Sequence, residues 1–431
     1  MTSHQLPSTL LIFIGFIVPL QAQKYSVAPL STPPDGAWCD VNSSGQVAGA
    51  AKLGNGFTVY AGNPYTLAAA PLPTGWTAAP VGTPVGINDQ GQILGSAVAP
   101  GGVGQPFLYS NGVSVPVPLP AGWVWAAGVA VNDSGQVTGY GFNGSGAVAF
   151  IGTTSASSAI PLPPTATQSE TFALNGSGVT TGAYYIPTPN SPYFTNANQA
   201  FTGTASGVTT LPLPSPNQSV AAGINDAGQV AGWLQQLPNF TPQAFFSSNG
   251  TVTSIPLPAG AVGIKDFGNL VSDACGATYS ERSGHNLTNS GLVVGNASTL
   301  NGSDPGTVVN NEAWVWDAAT GTRLLSGLLP SPWTATNAIS VANSGVVLAF
   351  GTCSGAGCPG GNFSGYVLLF PQGSVCDLNG NPVGNSAEVR LLAAESLGMA
   401  PAVNDLNHDN AVNLLDVQLA VNGALGLTCS P

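Results

Sequence analysis

Apolar positions along this chain fall in short runs, and Gly, Pro, Asn or Ser interrupts each of them. Runs of this length suit strands, whereas an amphipathic helix needs an apolar stripe sustained over ten or more residues. The pattern is also periodic. A turn of the form Asn-x-x-Gly, followed by a β-former and often a second Gly, stands at Asn42–Gly49, Asn88–Gly95, Asn132–Gly139, Asn175–Gly182 and Asn225–Gly232. Two weaker copies begin at Asn289 and Asn343. The first glycines of the strong copies lie 46, 44, 43 and 50 residues apart, and the next gaps of 63 and 54 mark insertions. After the turn comes an aromatic or aliphatic run, as at Pro106–Tyr109, Ala149–Ile151, Ala200–Phe201, Ala244–Phe246 and Ala313–Trp316. Then follows a Pro-Leu-Pro stretch, at 71–73, 118–120, 161–163, 212–214 and 256–258.

Each piece has a physical reading. Asn and Asp cap tight turns through their side chains, and Gly supplies the positive φ such turns need. Pro lacks a backbone donor, so the Pro-Leu-Pro stretch is expected as an edge strand. Seven such units with a period near 45 predict an all-β repeat fold, a seven-bladed β-propeller. The last unit has its aromatic-type run at Gly365–Phe370 but no Pro-Leu-Pro stretch after it, while an orphan stretch, Ser26–Ser31, precedes the first turn. The N-terminal strand is therefore expected to complete the seventh blade. The unit that best fits a known pattern is Gly223–Gly232 (GINDAGQVAG), with Gln199–Phe201 and Gln243–Phe245 after the turns. On these residues the repeats resemble bacterial extracellular HAF repeats, with Gln in place of the family's His and Pro-Leu-Pro in place of its Asp-Leu-Gly. The resemblance spans most of residues 24–370 and implies an extracellular β-repeat fold, without an established activity.

Composition narrows the function classes. Lys and Arg number six, charged residues make up 6% and the formal net charge is −12. No basic face can be built for a nucleic acid or an anionic membrane surface. Gly (57) and Pro (36) are abundant, as many short strands and tight turns require, and 43% hydrophobic residues suffice for a core. The apolar run Leu10–Leu20, followed by Ala22, reads as a signal peptide over 1–22, placing the protein outside the cell or on a bacterial cell surface. No later run reads as a membrane span. Six cysteines in an exported chain suggest disulfides, with Cys353 and Cys358 reading as a clipped local loop.

Composition shifts after the propeller-like region, 23–372. Residues 375–431 carry six of the 18 acids and the only convincing helices. In the segment 405–416, Asp405, Asn407, Asp409, the Ala411 carbonyl, Asn413 and Asp416 fall at positions 1, 3, 5, 7, 9 and 12 of an EF-hand loop. A hard cation needs such oxygens converging from one turn, so calcium is the expected cofactor. A second copy places Asp377, Asn379, Asn381, the Val383 carbonyl, Asn385 and Glu388 at the same positions. Position 6 favours positive φ, which Asn410 can adopt and Pro382 cannot, so the upstream loop is expected to be the weaker. Helices are expected over 389–397 and 417–425. Two loop-plus-helix copies resemble a type I dockerin, and the resemblance implies a cohesin partner contacted through Ser386-Ala387 and Leu414-Leu415. The basic helix pair usual in that family is replaced by Ala393-Ala394 and Val421-Asn422. Cys376 and Cys429 flank this module, and a bridge between them would clasp its ends.

Candidates for catalysis are sparse. His285, at the end of the polar insertion that holds Asp273 and Glu281, reads as part of a surface loop between blades. Asp89, Asp133 and Asp226 read as turn caps that could also line a channel and hold ions or sugar. Trp76, Trp123, Trp125 and Trp333 read as packing between blades, with sugar stacking as the alternative. No catalytic constellation emerges. The sequence thus indicates a secreted, non-catalytic binding or surface-scaffold protein with an unidentified protein or carbohydrate ligand. The alternative is an extracellular polysaccharide-acting hydrolase or lyase built on a propeller.

Overall fold

A computed structural model describes residues 24–64, 66–188, 196–214, 218–235, 242–259, 261–266, 285–301, 304–372, 386–400, 402, 404–406 and 411–424. Its strands form seven separate four-stranded antiparallel sheets, the blades of one propeller. Each blade runs outward from an inner strand. Those inner strands are Gly36–Val41, Gly86–Ile87, Trp125–Val131, Gln168–Leu174, Gln218–Ile224, Ala261–Asp266 and Trp333–Val341, for blades 1 to 7. In blades 1 to 6 the four strands are consecutive in sequence. Blade 7 is different: its outer strand is the N-terminal segment Lys24–Pro29, which pairs in register from Lys24 opposite Gln372 to Pro29 opposite Val367. The expected N-terminal closure of the ring is therefore present.

The repeat signature sets this geometry. The first Gly of each turn has φ between 72° and 85°, a region closed to most residues bearing Cβ. The second Gly lies directly opposite the aromatic residue of the third strand. Gly95 faces Phe107, Gly139 faces Phe150, Gly182 faces Phe201, Gly232 faces Phe245 and Gly295 faces Trp314. On its other side the inner strand bulges toward it, as the register shift between Gly128 and Ala130 shows. A Cβ at Gly139 would stand 2.0 Å from the Ala127 carbonyl oxygen and 2.8 Å from the Phe150 ring. The glycine thus lets ring and bulge close on one point, and these aromatics are fully buried.

The Pro-Leu-Pro stretches are not edge strands. The outer strands lie just before them, as at Thr66–Ala69 and Val113–Pro116. The prolines occupy the crossing from one blade to the next, where no ladder needs their missing donor. Leu72, Leu119, Leu162, Leu213 and Leu257 pack onto the interblade cores from these crossings. The Pro71, Pro118 and Pro256 carbonyls accept hydrogen bonds from Ser114, Ser157 and Thr322 on the next outer strand.

Two helices follow the propeller, α1 (Ser386–Ser396) and α2 (Leu414–Ala424). Both begin three residues before the expected starts. Leu392, Leu406, Leu419 and Ala420 form a small core between them. Among the described residues, no helix is long and apolar enough to cross a membrane. The apolar run at 10–20, Cys275, Cys376, Cys429, Asp273 and Glu281 lie outside the described residues. Cys353 and Cys358 form the expected local disulfide, and buried Cys39 is also disulfide-bonded.

Candidate functional site

The seven turns gather at one end of the central channel, and the leading Asn of the signature is the key to them. Asn132 is 5% exposed. Its Oδ1 accepts the amides of Ser134 (3.2 Å) and Gln136 (3.0 Å), which caps its own turn. Its Nδ2 donates to Gln136 Oε1 (2.9 Å) and, across to the next blade, to the Asn175 carbonyl (2.9 Å). The Gln of the signature thus takes one amide proton and the neighbouring blade the other. Asn42 reaches Asn88, Asn88 reaches Asn132, Asn175 reaches Asn225 and Asn225 reaches Thr288 in the same way. A buried amide with every group satisfied is worth keeping, since each unmade bond would leave a desolvated donor or acceptor.

The next residue of each turn builds a second chain. Ser43 donates its amide to Asp89 (2.7 Å), Asp89 to Asp133 (2.8 Å), Gly176 to Asp226 (2.6 Å), Asp226 to Asn289 (2.9 Å) and Asn289 to Asn343 (2.9 Å). Two readings from sequence are corrected here. Asp89, Asp133 and Asp226 do not cap their own turns; each holds the turn of the preceding blade. Asn289 and Asn343 occupy this second position, and the leading places in blades 6 and 7 belong to Thr288 and Ala342, whose turns close as Gly291 N to Thr288 O and Gly345 N to Ala342 O. The two-residue spacing to Gly had disguised the offset.

His285 is likewise not on a surface loop. It lines the wall of the channel, with about 30% of its side chain exposed. Its Nδ1 lies 3.3 Å from Asp40 Oδ1. Asp40, in the inner strand of blade 1, is 1% exposed. The same Oδ1 accepts Ser340 Oγ–H (2.6 Å) from blade 7, and Oδ2 accepts the Ile87 amide (2.9 Å) from blade 2. Burial alone would raise the Asp40 carboxyl. The charge and hydrogen bond of His285, with the bonds from Ser340 and Ile87, outweigh it and hold Asp40 below its ordinary range. Burial would likewise lower His285, but Asp40, then Asp89 and Asp133, push it up to about 9. Asp133 is raised, first by burial and further by the charge of Asp89. Asp40 carried no sequence signal, because its partner lies 245 residues away.

The cavity between these side chains holds about 50 Å³ and is lined by Asp89, Asp133, Asp226, His285, Asn289 and Asn343 among others. That volume suits a few waters or an ion; pockets for organic ligands run to roughly 300 Å³ or more. The tryptophans are packing residues. Trp76 meets Phe107 at 6.4 Å, Trp123 meets Phe150 at 5.9 Å and Trp333 meets Phe363 at 5.3 Å, while Trp125, against Tyr140, keeps 37% of its surface exposed.

At the C-terminus, Asp405, Ala411, Asn413, Asp416 and Glu388 are described; Asn407, Asp409, Asp377, Asn379, Asn381, Val383 and Asn385 are not. Asp416 is fully buried, its Oδ1 accepting the Leu406 amide (2.8 Å) and its Oδ2 the Asn413 amide (2.8 Å). The last residue of the twelve-residue segment therefore turns back on its beginning. Leu414 and Leu415 are 77% and 61% exposed on the first turn of α2.

No protein-family model and no curated protein sequence matches the chain. Among solved structures, the β-propeller domain of the Trilobed protease from Pyrococcus furiosus, with an open velcro topology, is 12% identical, covering 73% of this chain and 91% of that one, at a TM-score of 0.48. TolB from Acinetobacter baumannii is 11% identical, covering 76% and 80%, at 0.35. The six-bladed fucose-recognising lectin of Aleuria aurantia is 13% identical, covering 70% and 94%, at 0.32. At such distances none of their ligands or activities carries over.

Proposed function

We propose that this chain is a secreted, non-catalytic binding or surface-scaffold protein, a rigid propeller followed by a calcium-stabilised, dockerin-like module. The carrying observation is the use to which the recurrent polar residues are put. Asn and Asp of the repeats, groups a catalytic reading would recruit, hold adjoining blades together around a cavity of about 50 Å³, while the Gln braces its own turn. Ligands of a propeller built this way meet its loops and faces, where repeats tolerate variation without disturbing the ring.

The C-terminal loop fits calcium in its donor chemistry. Asp405, Asn407, Asp409, Asn413 and Asp416, with the Ala411 carbonyl, offer hard oxygens only, and the inward turn of Asp416 supports the reading. The upstream set, Asp377, Asn379, Asn381, Val383, Asn385 and Glu388, is the weaker partner because of Pro382. Calcium would tie the loop to α2 and so brace a module whose core is small. The exposed Leu414–Leu415 pair is the surface such a module would offer a protein partner, with a cohesin as one candidate.

Calorimetric titration of the full chain with CaCl2 tests this proposal. A binding isotherm is expected, with its stronger site abolished in Asp405→Ala and Asp416→Ala. Heats unchanged in both variants would remove the calcium assignment. A glycan array probed with the full chain addresses the ligand class.

A further inference from the structure

Six of the seven interfaces between adjacent blades carry at least one link of the two polar chains around the channel. The interface between blades 7 and 1 carries neither among the described residues. Ala342 has no side-chain amide to donate, and Ser43, whose hydroxyl donates to Asp89, stands where the Asp or Asn acceptor for blade 7 would be. This is also where the ring closes, since blade 7 is assembled from both ends of the propeller segment. A different set of bonds occupies the gap. Ser340 of blade 7 donates to Asp40 of blade 1 (2.6 Å), and His285 reaches over from blade 6 to the same oxygen (3.3 Å). The Val341 amide of blade 7 bonds the His285 carbonyl, and Asp40 also holds the Ile87 amide of blade 2 (2.9 Å). One carboxylate thus gathers four blades at the seam.

We propose that Asp40, His285 and Ser340 form an ionic latch closing the ring between blades 7 and 1, and that discharging His285 opens this seam before the rest of the propeller. A deprotonated imidazole can still bridge, but it leaves the buried Asp40 carboxylate without its counter-charge, and a buried uncompensated charge is the costly case. The titratable groups around His285 all act in one direction. Asp40 faces it from blade 1, Asp89 from blade 2 and Asp133 from blade 3, and Asp226 of blade 5 lines the same cavity. Against burial, which would lower it, Asp40, Asp89 and Asp133 favour the charged imidazole, which accounts for the rise from 6.5 to about 9. Because the folded protein holds this proton more tightly than the unfolded chain, the latch stabilises fully below the ordinary histidine value. Its contribution fades as pH rises through about 9.

Two measurements on the full-length protein test the latch. The first is an NMR titration of the histidine rings, with His408→Gln used for assignment. His285 is expected to titrate near 9, and a midpoint within one unit of 6.5 would overturn the proposal. The second is amide hydrogen exchange at pH 7.5 in His285→Gln and Ser340→Ala. Exchange in the inner and second strands of blades 7 and 1 is expected to quicken at least tenfold, with blades 3 to 5 unchanged. Acceleration spread evenly over all blades, or none, refutes a local seam. Should His285→Gln fail to fold, the titration of the unaltered protein and the milder Ser340→Ala still decide the matter.

Discussion

Replacing Asn132 by alanine should cost more than its place in a turn signature suggests. The side chain makes two donor bonds, to Gln136 Oε1 and the Asn175 carbonyl, and accepts from the Gln136 and Ser134 amides. Gln136 is half-buried and can recruit water, so its groups are partly compensated on truncation. The Asn175 carbonyl keeps the Gly178 amide of its own turn but loses its buried bond from the preceding blade. Counting about 1 kcal/mol for that lost bond and roughly 1 kcal/mol for the lost turn cap gives a destabilisation of about 2 kcal/mol. Asn132→Asp separates the two roles. It keeps the acceptor that caps the turn but sets a carboxylate against the Asn175 carbonyl, so at pH 7 it should cost more than alanine. A carboxyl in that place is easier to protonate folded than unfolded, so the variant should recover stability as pH falls toward 4. The assay is guanidinium unfolding followed by tryptophan fluorescence at pH 7 and 4.5, with equal slopes required before midpoints are compared. An alanine cost below about 1 kcal/mol, or an aspartate variant no worse than alanine at pH 7, would refute the account of the amide chain.

Two further outcomes are expected. Gly139→Ala places Cβ 2.0 Å from the Ala127 carbonyl oxygen and should lower stability by about 3 kcal/mol or more. Gly104→Ala, whose nearest neighbour would be Trp125 Cβ at 3.7 Å, should be neutral or slightly stabilising, and equal melting shifts for the two would contradict the packing argument. Removing Lys24–Pro29 unpairs the edge of blade 7 and strips Tyr25, 1% exposed, from the cluster it shares with Val367 and Leu369. Each large apolar side chain lost there is worth about 2 kcal/mol, so the melting temperature should fall by many degrees; an unchanged transition would show that the ring does not need its N-terminal strand.

Much of the fold was legible because its causes are local and repeated. A Gly that needs positive φ, an Asn that caps its own turn and an aromatic two strands on recur in one order, and repetition turns weak local signals into a count of blades. The Pro-Leu-Pro stretches misled because the absence of a donor marks an edge strand and a strandless crossing equally well. Only the half-buried Leu between the prolines, packed onto the interblade cores, distinguishes the two. The Asp residues misled for a related reason. An Asp beside a tight turn is ordinarily its cap, and nothing in the sequence says that the amide it serves belongs to the preceding blade.

The sequence alone determined the number of repeats, the turn chemistry, the closure by the N-terminal strand and the oxygen-donor spacing of the C-terminal loop. Each of these rests on residues within one unit or on a pattern copied between units. Tertiary structure decided the rest. The curvature of the ring brings seven turns to one channel, so that Asn amides and Asp carboxylates spaced some 43 to 63 residues apart become neighbours. It sets Asp40 against His285, 245 residues away, at the one interface where the repeat residues lapse. Side chains that do not recur leave no period to read, and what an unrepeated Asp or His does is fixed by which blade the closed ring places opposite it.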